Sequence, residues 1–445
     1  MASKRKKRTN STEKILALSY TVLTGGIFLL FSPPFLLYIM LSGRYKRHLK
    51  ERLGFYPFPE RGKSTGRPTI WIHAASLGEV RVASSIIKAV ESIRPGCLFL
   101  ITTFTEHGRD LAKSLAGKNV RVSFAPLDFL PFVRRALKRV SPELLLFAET
   151  EIWPAWIFEA KKMGIKTALI NGRISKRSAK SYLALRPLFG PLLKGINAFS
   201  MISEHDASRI KAVGAPREKI RVLGNAKYDL MGTLTNASKK DEIRKTLGLK
   251  ENQIILIAGS TRTGEEELIL GAYKEITARF PDTVLIIAPR HLERVPQITS
   301  LIKSKGYACR FRKEVEGILS NGKEKVVIIN TFGELFDIYS VGTIVFCGAS
   351  LVPKGGQNPL EPAAWCKMPF YGPYMDDFSD AKDILETAGA GIEVSGPEML
   401  AERAIWFLSN REELALRGKK ARQAVLKNHG ASVRQAKFIL ELLEK

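Results

Sequence analysis

Short apolar runs of strand length recur along this chain, and most are followed by a stretch with helical periodicity. Residues 69–75 read as a buried strand and 76–93 as the helix that follows it. Further strands are expected at 98–104, 121–124, 143–147, 166–170, 199–203 and 221–223. The pattern restarts at 253–258, 283–288, 326–330, 343–347 and 392–394. Continuous apolar strands alternating with amphipathic helices are the mark of parallel, doubly wound α/β sheets, whose strands are buried on both faces. At 445 residues the chain exceeds one comfortable core. It therefore reads as two Rossmann-like domains facing a cleft. The expected division is a basic N-terminus and anchor over 1–52, a first domain over 53–231, a polar linker over 232–251, a second domain over 252–430 and a C-terminal helix over 431–445.

Seventy Lys and Arg against 43 Asp and Glu give a net charge of +27, which favours polyanionic partners: nucleic acid, an anionic membrane or a phosphorylated substrate. Part of that charge is local. Eleven bases lie between Lys4 and Arg52 against two acids, and they flank a charge-free stretch from 15 to 41. Such a stretch is long enough to cross about 30 Å of hydrocarbon. It is too long for a signal-peptide core, and no small-residue cleavage site follows it, so an uncleaved anchor is expected. Pro33 and Pro34 would break a helix there, and bases at both ends leave a single span and a bent, monotopic anchor equally open.

Ligands of doubly wound sheets sit beyond the carboxyl ends of the strands. In the second half, the strand at 343–347 leads to Gly355 and Gly356, and a helix is expected to start at Asn358 and Pro359, with Glu361 three residues after the cap. This arrangement presents backbone N–H groups to an anion and a carboxylate to ribose hydroxyls, although Glu361 would equally serve a capping box. Ser260, Thr261 and Arg262 follow another strand, Pro289, Arg290 and His291 end a third, and Phe332, Gly333 and Glu334 follow a fourth. Together they form a polar rim suited to a phosphate and a ribose.

In the first half, Glu79 falls in the first turn of a helix after a strand, behind Gly78. It is placed either to take a proton from an attacking hydroxyl or to close a capping box on Ser76. Glu149 opens the helix near Pro154, where a carboxylate also suits the helix dipole. Lys227 follows the strand at 221–223 and could neutralise a departing phosphate. The chain has no Walker A loop, no Gly-x-Gly-x-x-Gly, no Asp-x-Asp and no His/Cys cluster, and its four cysteines are scattered. No metal and no cofactor are expected, and no basic strand or helix of nucleic-acid-binding type is present.

These motifs, in order, resemble those of the 3-deoxy-D-manno-octulosonic acid (Kdo) transferases of lipopolysaccharide assembly, glycosyltransferase family 30. The resemblance runs from His73–Arg81 through Glu149, Gly224, Gly259, Pro289 and Phe332 to the Gly-Gly-Gln-Asn-Pro-Leu-Glu-Pro stretch. One departure is Gln357, where relatives often carry His. The resemblance implies a GT-B fold and inverting, metal-independent transfer of Kdo from CMP-Kdo to a lipid A precursor. It implies that Glu79 is the base and that Glu149 and Lys227 support the transition state. It assigns CMP contacts to Pro289, Arg290, Phe332, Gly333, Glu334, Asn358, Pro359, Leu360 and Glu361, and the polar rim adds Ser260, Thr261, Arg262, His291, Gly355 and Gly356 as donor-binding residues. Arg81 and Arg173 are expected to hold the acceptor phosphates. The implied partners are CMP-Kdo, a lipid A precursor and an anionic inner-membrane surface, with the catalytic domains on the cytoplasmic side. Two other readings are another membrane-associated GT-B enzyme using a UDP-sugar and a non-enzymatic binder of anionic lipid or nucleic acid.

Overall fold

A computed structural model describes residues 48–57, 67–150, 152–229, 235–314 and 325–444, together with Tyr20, Val22, Gly25, Gly26 and Leu30. Most of the expected anchor thus lies outside the described residues. Among the described residues no helix is long and apolar enough to cross a membrane. Tyr20 packs its ring against Phe158 and donates its hydroxyl to Asp128.

The chain divides into two units, Met1–Lys227 with Gly430–Lys445, and Tyr228–His429. The first contains a seven-stranded parallel sheet of β1 (Thr69–His73), β2 (Leu98–Thr103), β3 (Val120–Phe124), β4 (Leu144–Ala148), β5 (Lys166–Gly172), β6 (Ala198–Met201) and β7 (Ile220–Val222). Their order is β3-β2-β1-β4-β5-β6-β7, so the winding reverses between β1 and β4. Alternation of side chains explains why the strands are apolar throughout. Trp71, Leu100, Leu145, Phe147 and Leu169 fill one face. Ile70, Ile72, Ile101, Leu144 and Leu146 fill the other, under the helix Leu77–Ile93. The C-terminal helix Ala431–Glu444 belongs to this same layer, with Ala436, Phe438 and Ile439 buried beside that helix.

The second unit contains β8 (Ile255–Thr261), β9 (Val284–Pro289), β10 (Cys309–Phe311), β11 (Val326–Ile328), β12 (Ile344–Cys347), β13 (Pro369–Tyr371) and β14 (Ile392–Glu393). Their order is β10-β11-β9-β8-β12-β13-β14, all parallel, with the reversal between β8 and β12. Sequence reasoning did not anticipate β10 or β13. Both are short; β10 carries Arg310 at its centre and β13 begins at a proline. The stretch expected to be a linker also differs. It contains the helix Ala237–Thr246, and Ile243, Leu247 and Leu249 join the apolar layer under Ile255, Ile257 and Val345. Ile243 on the helix and Leu247 and Leu249 just past its end outweigh the lysine-rich composition that suggested a free connector.

Candidate active site

The two sides of each winding reversal are where a ligand groove opens in such a sheet. In the first unit they are the ends of β1 and β4. The chain leaves β1 through Ala74 and Ala75 and enters the helix Leu77–Ile93 at Ser76, which is in extended conformation and caps it. The Ser76 hydroxyl accepts from the Glu79 N–H at 3.4 Å and donates to Glu79 Oε1 at 2.7 Å. Glu79 Oε2 accepts from the Ala75 N–H at 2.8 Å. The capping box therefore forms in a modified version, and it leaves Glu79 buried and fixed in orientation.

Glu149, at the end of β4, has a left-handed backbone (φ 56°), held by its N–H donating to the Ile170 carbonyl at 2.9 Å. Its carboxylate forms an ion pair with Lys227. A Cβ built on Gly78 would lie 3.9 Å from both the Lys227 ammonium and Ser76 Oγ. Glu79's turn, Glu149 and Lys227 thus meet at one place in the first unit. His73, at the end of β1, is buried against Phe104, Trp153 and Trp156. Burial pushes its imidazole down to about 3, so it remains neutral at physiological pH. Arg81 is exposed one turn beyond Ser76, and Arg173 follows β5 with its carbonyl bonded to the Thr150 hydroxyl.

Lys227 is held by residues that sequence reasoning missed. Asn171, at the end of β5 with φ 50°, is buried; its Oδ1 accepts from the Ala226 N–H at 2.8 Å. Asn225 Oδ1 accepts from the Lys227 N–H at 3.1 Å. Gln435 of the C-terminal helix closes the network. Its Oε1 accepts from the Asn171 N–H at 2.8 Å, and its Nε2 donates to Asn171 Oδ1 at 3.2 Å and to the Gly224 carbonyl at 3.3 Å. The signal was a lone amide on the apolar stripe of an amphipathic helix, in line with Ala431 and Ile439.

In the second unit, the ends of β8 and β12 flank the reversal. Glu265, fully buried, accepts backbone N–H bonds from Arg262, Ala349, Ser350 and Leu351 at 2.6–2.9 Å. This carboxylate, also missed from the sequence, ties the two strand ends together. Ser260 and Ala349 both have left-handed backbones, and Thr261 is buried with its hydroxyl unpartnered among the described residues. The Arg262 guanidinium contacts His291 Nε2. Gly355 and Gly356 have φ of 85° and 81°, and side chains there would strike Asp377 and Met375, so the turn requires glycine twice.

The helix after that turn begins at Leu360 rather than Pro359 and runs only to Ala364. Asn358 still serves it, its Oδ1 accepting from the Leu360 N–H at 3.1 Å. Burial pushes Glu361 up to about 7, against the opposing field of Arg290, which is exposed at the end of β9. Glu334 accepts from Arg312 at 3.0 Å and from Thr331. Phe332 stands 86% exposed beside Gly333 (φ 91°).

Two parallel α/β units, each with a winding reversal in a seven-stranded sheet, define a GT-B-like fold. A glycosyltransferase from Rickettsia africae shares it, with a TM-score of 0.61 over 85% of this chain and 98% of that one at 16% identity. Residues 47–230 match the family of 3-deoxy-D-manno-octulosonic-acid transferases (kdotransferases). A 3-deoxy-D-manno-octulosonic acid transferase of Haemophilus influenzae is 33% identical over 91% of this chain and 93% of its own length. A bifunctional glycosyltransferase/methyltransferase of Fusobacterium nucleatum is 36% identical over 77% of this chain, which spans 53% of that longer protein. The chain belongs to the Kdo transferase family and is a glycosyltransferase.

Proposed function

We propose that this protein transfers Kdo from CMP-Kdo to a hydroxyl of a lipid A precursor, lipid IVA, with inversion and without a metal, in lipopolysaccharide core assembly. Glu79 takes the proton of the acceptor hydroxyl as its oxygen bonds to the anomeric carbon. The bond from that carbon to the CMP phosphate oxygen breaks, and CMP leaves with the electron pair. Lys227, paired with Glu149, supplies positive charge near the developing negative charge. The observation that carries this reading is the meeting of the Glu79 turn, Glu149 and Lys227 at the β1–β4 reversal, with Glu149 held in a left-handed backbone.

For the donor, Ser260, Thr261, Arg262, Pro289, Arg290 and His291 supply groups suited to the phosphate, and Asn358, Pro359, Leu360 and Glu361 suit the ribose. The exposed ring of Phe332, beside Gly333 and Glu334, offers a stacking face for a base. Arg81 and Arg173 are the proposed acceptor-phosphate contacts. The bases before Arg52 and the apolar stretch at 15–41 would hold the enzyme at the cytoplasmic face of the inner membrane, where the lipid acceptor resides.

The test is transfer from CMP-Kdo to lipid IVA in the presence of EDTA, read by mass spectrometry of the lipid, comparing native protein with Glu79→Gln. Native protein should add Kdo, and the variant should bind CMP yet lose transfer by about 10²–10⁴-fold. A variant as active as native protein would reduce Glu79 to a helix cap. Turnover with a UDP-sugar and none with CMP-Kdo would reject the donor assignment.

A further inference from the structure

The proposed donor residues of the second unit lie at or beyond the carboxyl ends of its strands. The opposite edge of the same sheet, where the strands begin, carries a separate cavity of about 640 Å³. Gln253 precedes β8, Thr343 precedes β12 and Met368 precedes β13, and all three line it. Five cations line it as well: Lys240, Arg244, Lys367, Arg411 and Lys419, against the single carboxylate of Glu251. None of the six forms an ion pair among the described residues, although elsewhere in this unit Arg294, Lys305, Arg312, Lys382 and Arg417 are all paired.

Two of the five cations, Arg244 and Lys367, are partly withdrawn from solvent. Lys367 is half-buried in the short segment between the helix Leu360–Ala364 and β13, anchored by its N–H to the Pro362 carbonyl at 3.1 Å. Its ammonium has no acceptor among the described residues. Burial pushes it down to about 8, and Lys240 and Arg244 push it the same way. Arg244 is oriented by the carbonyl of Glu251 at 2.7 Å, and Arg411 Nε by that of Leu408 at 2.9 Å. The guanidiniums are thus partly fixed by backbone acceptors. Concentrating like charges in a concavity raises the free energy of the empty site, and an anion with several oxygens would relieve it through charge-assisted bonds.

We propose that this cavity at the amino ends of the second sheet binds a phosphate-bearing anion of two or more charges, at a site distinct from the donor rim. That chemistry has two sources, a soluble phosphorylated compound or the headgroup of a phosphorylated lipid. A UDP- or CMP-type donor is not required for it, because the site lies on the other edge of the sheet.

The test uses the full chain with inorganic pyrophosphate as the probe, titrated by calorimetry, and compares native protein with Lys367→Met/Arg411→Gln. Lys274→Met/Lys303→Met removes the same charge elsewhere in the unit and serves as control. The pocket variant should weaken pyrophosphate about tenfold or more, as expected for the loss of charged hydrogen bonds, while the control changes less than about twofold. Arg411→Gln loses its bond to the Leu408 carbonyl, so melting is measured alongside binding. Lys367→Met alone, which removes a half-buried charge with no ion-pair partner among the described residues, should melt no lower than native protein while still weakening pyrophosphate. A parallel sedimentation with phosphatidylcholine vesicles, with and without phosphatidic acid, separates the sources. Selective loss on the doped vesicles assigns a lipid headgroup, and loss confined to pyrophosphate assigns a soluble ligand. Equal behaviour of the pocket variant and the control in both assays overturns the proposal.

Discussion

Gln435 lies on the last helix of the chain, yet it holds the segment that presents Lys227. Gln435→Leu keeps the side-chain size and the apolar stripe but removes three hydrogen bonds, one from the Asn171 N–H and two to acceptors on Asn171 and Gly224. Asn171 Oδ1 still receives the Ala226 N–H, whereas the Gly224 carbonyl loses its bond from Gln435. The Asn171 N–H is left buried without a partner, which costs about 1–3 kcal/mol. Leucine recovers part of that loss by apolar burial at this fully buried position, so a net destabilisation of about 1–2 kcal/mol is expected. At about 2–4 °C per kcal/mol for a domain of 150–250 residues, the first unit should melt about 2–8 °C lower. The functional effect should exceed the thermal one. With segment 224–227 loosened, the ammonium loses its fixed position beside Glu149, and kcat should fall about tenfold or more at temperatures where the variant remains folded. CMP affinity, which we assign to the other unit, should not change. The assays are differential scanning calorimetry, CMP titration and Kdo-transfer kinetics on the same preparation. A lowered melting temperature with unchanged kcat would refute positioning through Gln435 and leave it a purely structural residue.

Lys227→Met should reduce kcat by about 10²–10³-fold with little change in CMP affinity, read by transfer kinetics and calorimetry. Gly356→Ala forces a side chain onto a left-handed backbone against Met375 and should cost about 1–2 kcal/mol, seen as a lower melting temperature and weaker CMP binding. Phe332→Ala should leave stability within about 0.5 kcal/mol because the ring is exposed, while weakening CMP by about 1–3 kcal/mol if a base stacks on it. The raised Glu361 carboxyl makes a pH prediction with a definite sign. The folded protein binds its proton more tightly than the unfolded chain, so its contribution to stability is full below about 4.5 and is lost as pH rises through about 7. If the ionised form accepts ribose hydroxyls, CMP affinity should increase over that same rise, and Glu361→Gln should flatten both profiles in chemical denaturation and CMP titration.

The doubly wound architecture was legible because parallel strands are apolar on both faces. Runs such as Leu144–Ala148 and Val284–Pro289 stand out with no partner in view. β10 and β13 were not legible: β10 sets Arg310 between two partly buried residues and β13 begins at a proline, which argues against a strand. The helix Ala237–Thr246 was hidden for the opposite reason. Its lysines dominate the composition, while its anchoring residues are few and partly beyond its end, at Leu247 and Leu249. At the site, residues immediately after strands could be nominated one by one. The groups that hold them, Asn171, Gln435 and Glu265, act across long sequence separations, such as the 264 residues between Asn171 and Gln435, and no local pattern records such a pairing.

Backbone strain was equally invisible in the sequence, and it bears on why the site is built as it is. Among the described residues six non-glycine positions have positive φ, and four of them, Glu149, Asn171, Ser260 and Ala349, lie at or just beyond the carboxyl ends of β4, β5, β8 and β12. Each such conformation costs about 1–2 kcal/mol and persists only where surrounding bonds over-determine it. Three of these bonds are visible: the Glu149 N–H to Ile170, the Asn171 N–H to Gln435 and the Ala349 N–H to Glu265. The strain falls on the strands at and beside the two winding reversals. A left-handed residue there turns the chain sharply out of the sheet, so the next side chains project beyond the strand ends instead of continuing the pleat. Relieving the strain at Ala349 by substitution with glycine should therefore stabilise the isolated turn yet widen the conformations open to the loop that carries Gly355 and Gly356. Stability and CMP affinity would then move in opposite directions, whereas a parallel change in both would show that the left-handed turn is only a structural convenience.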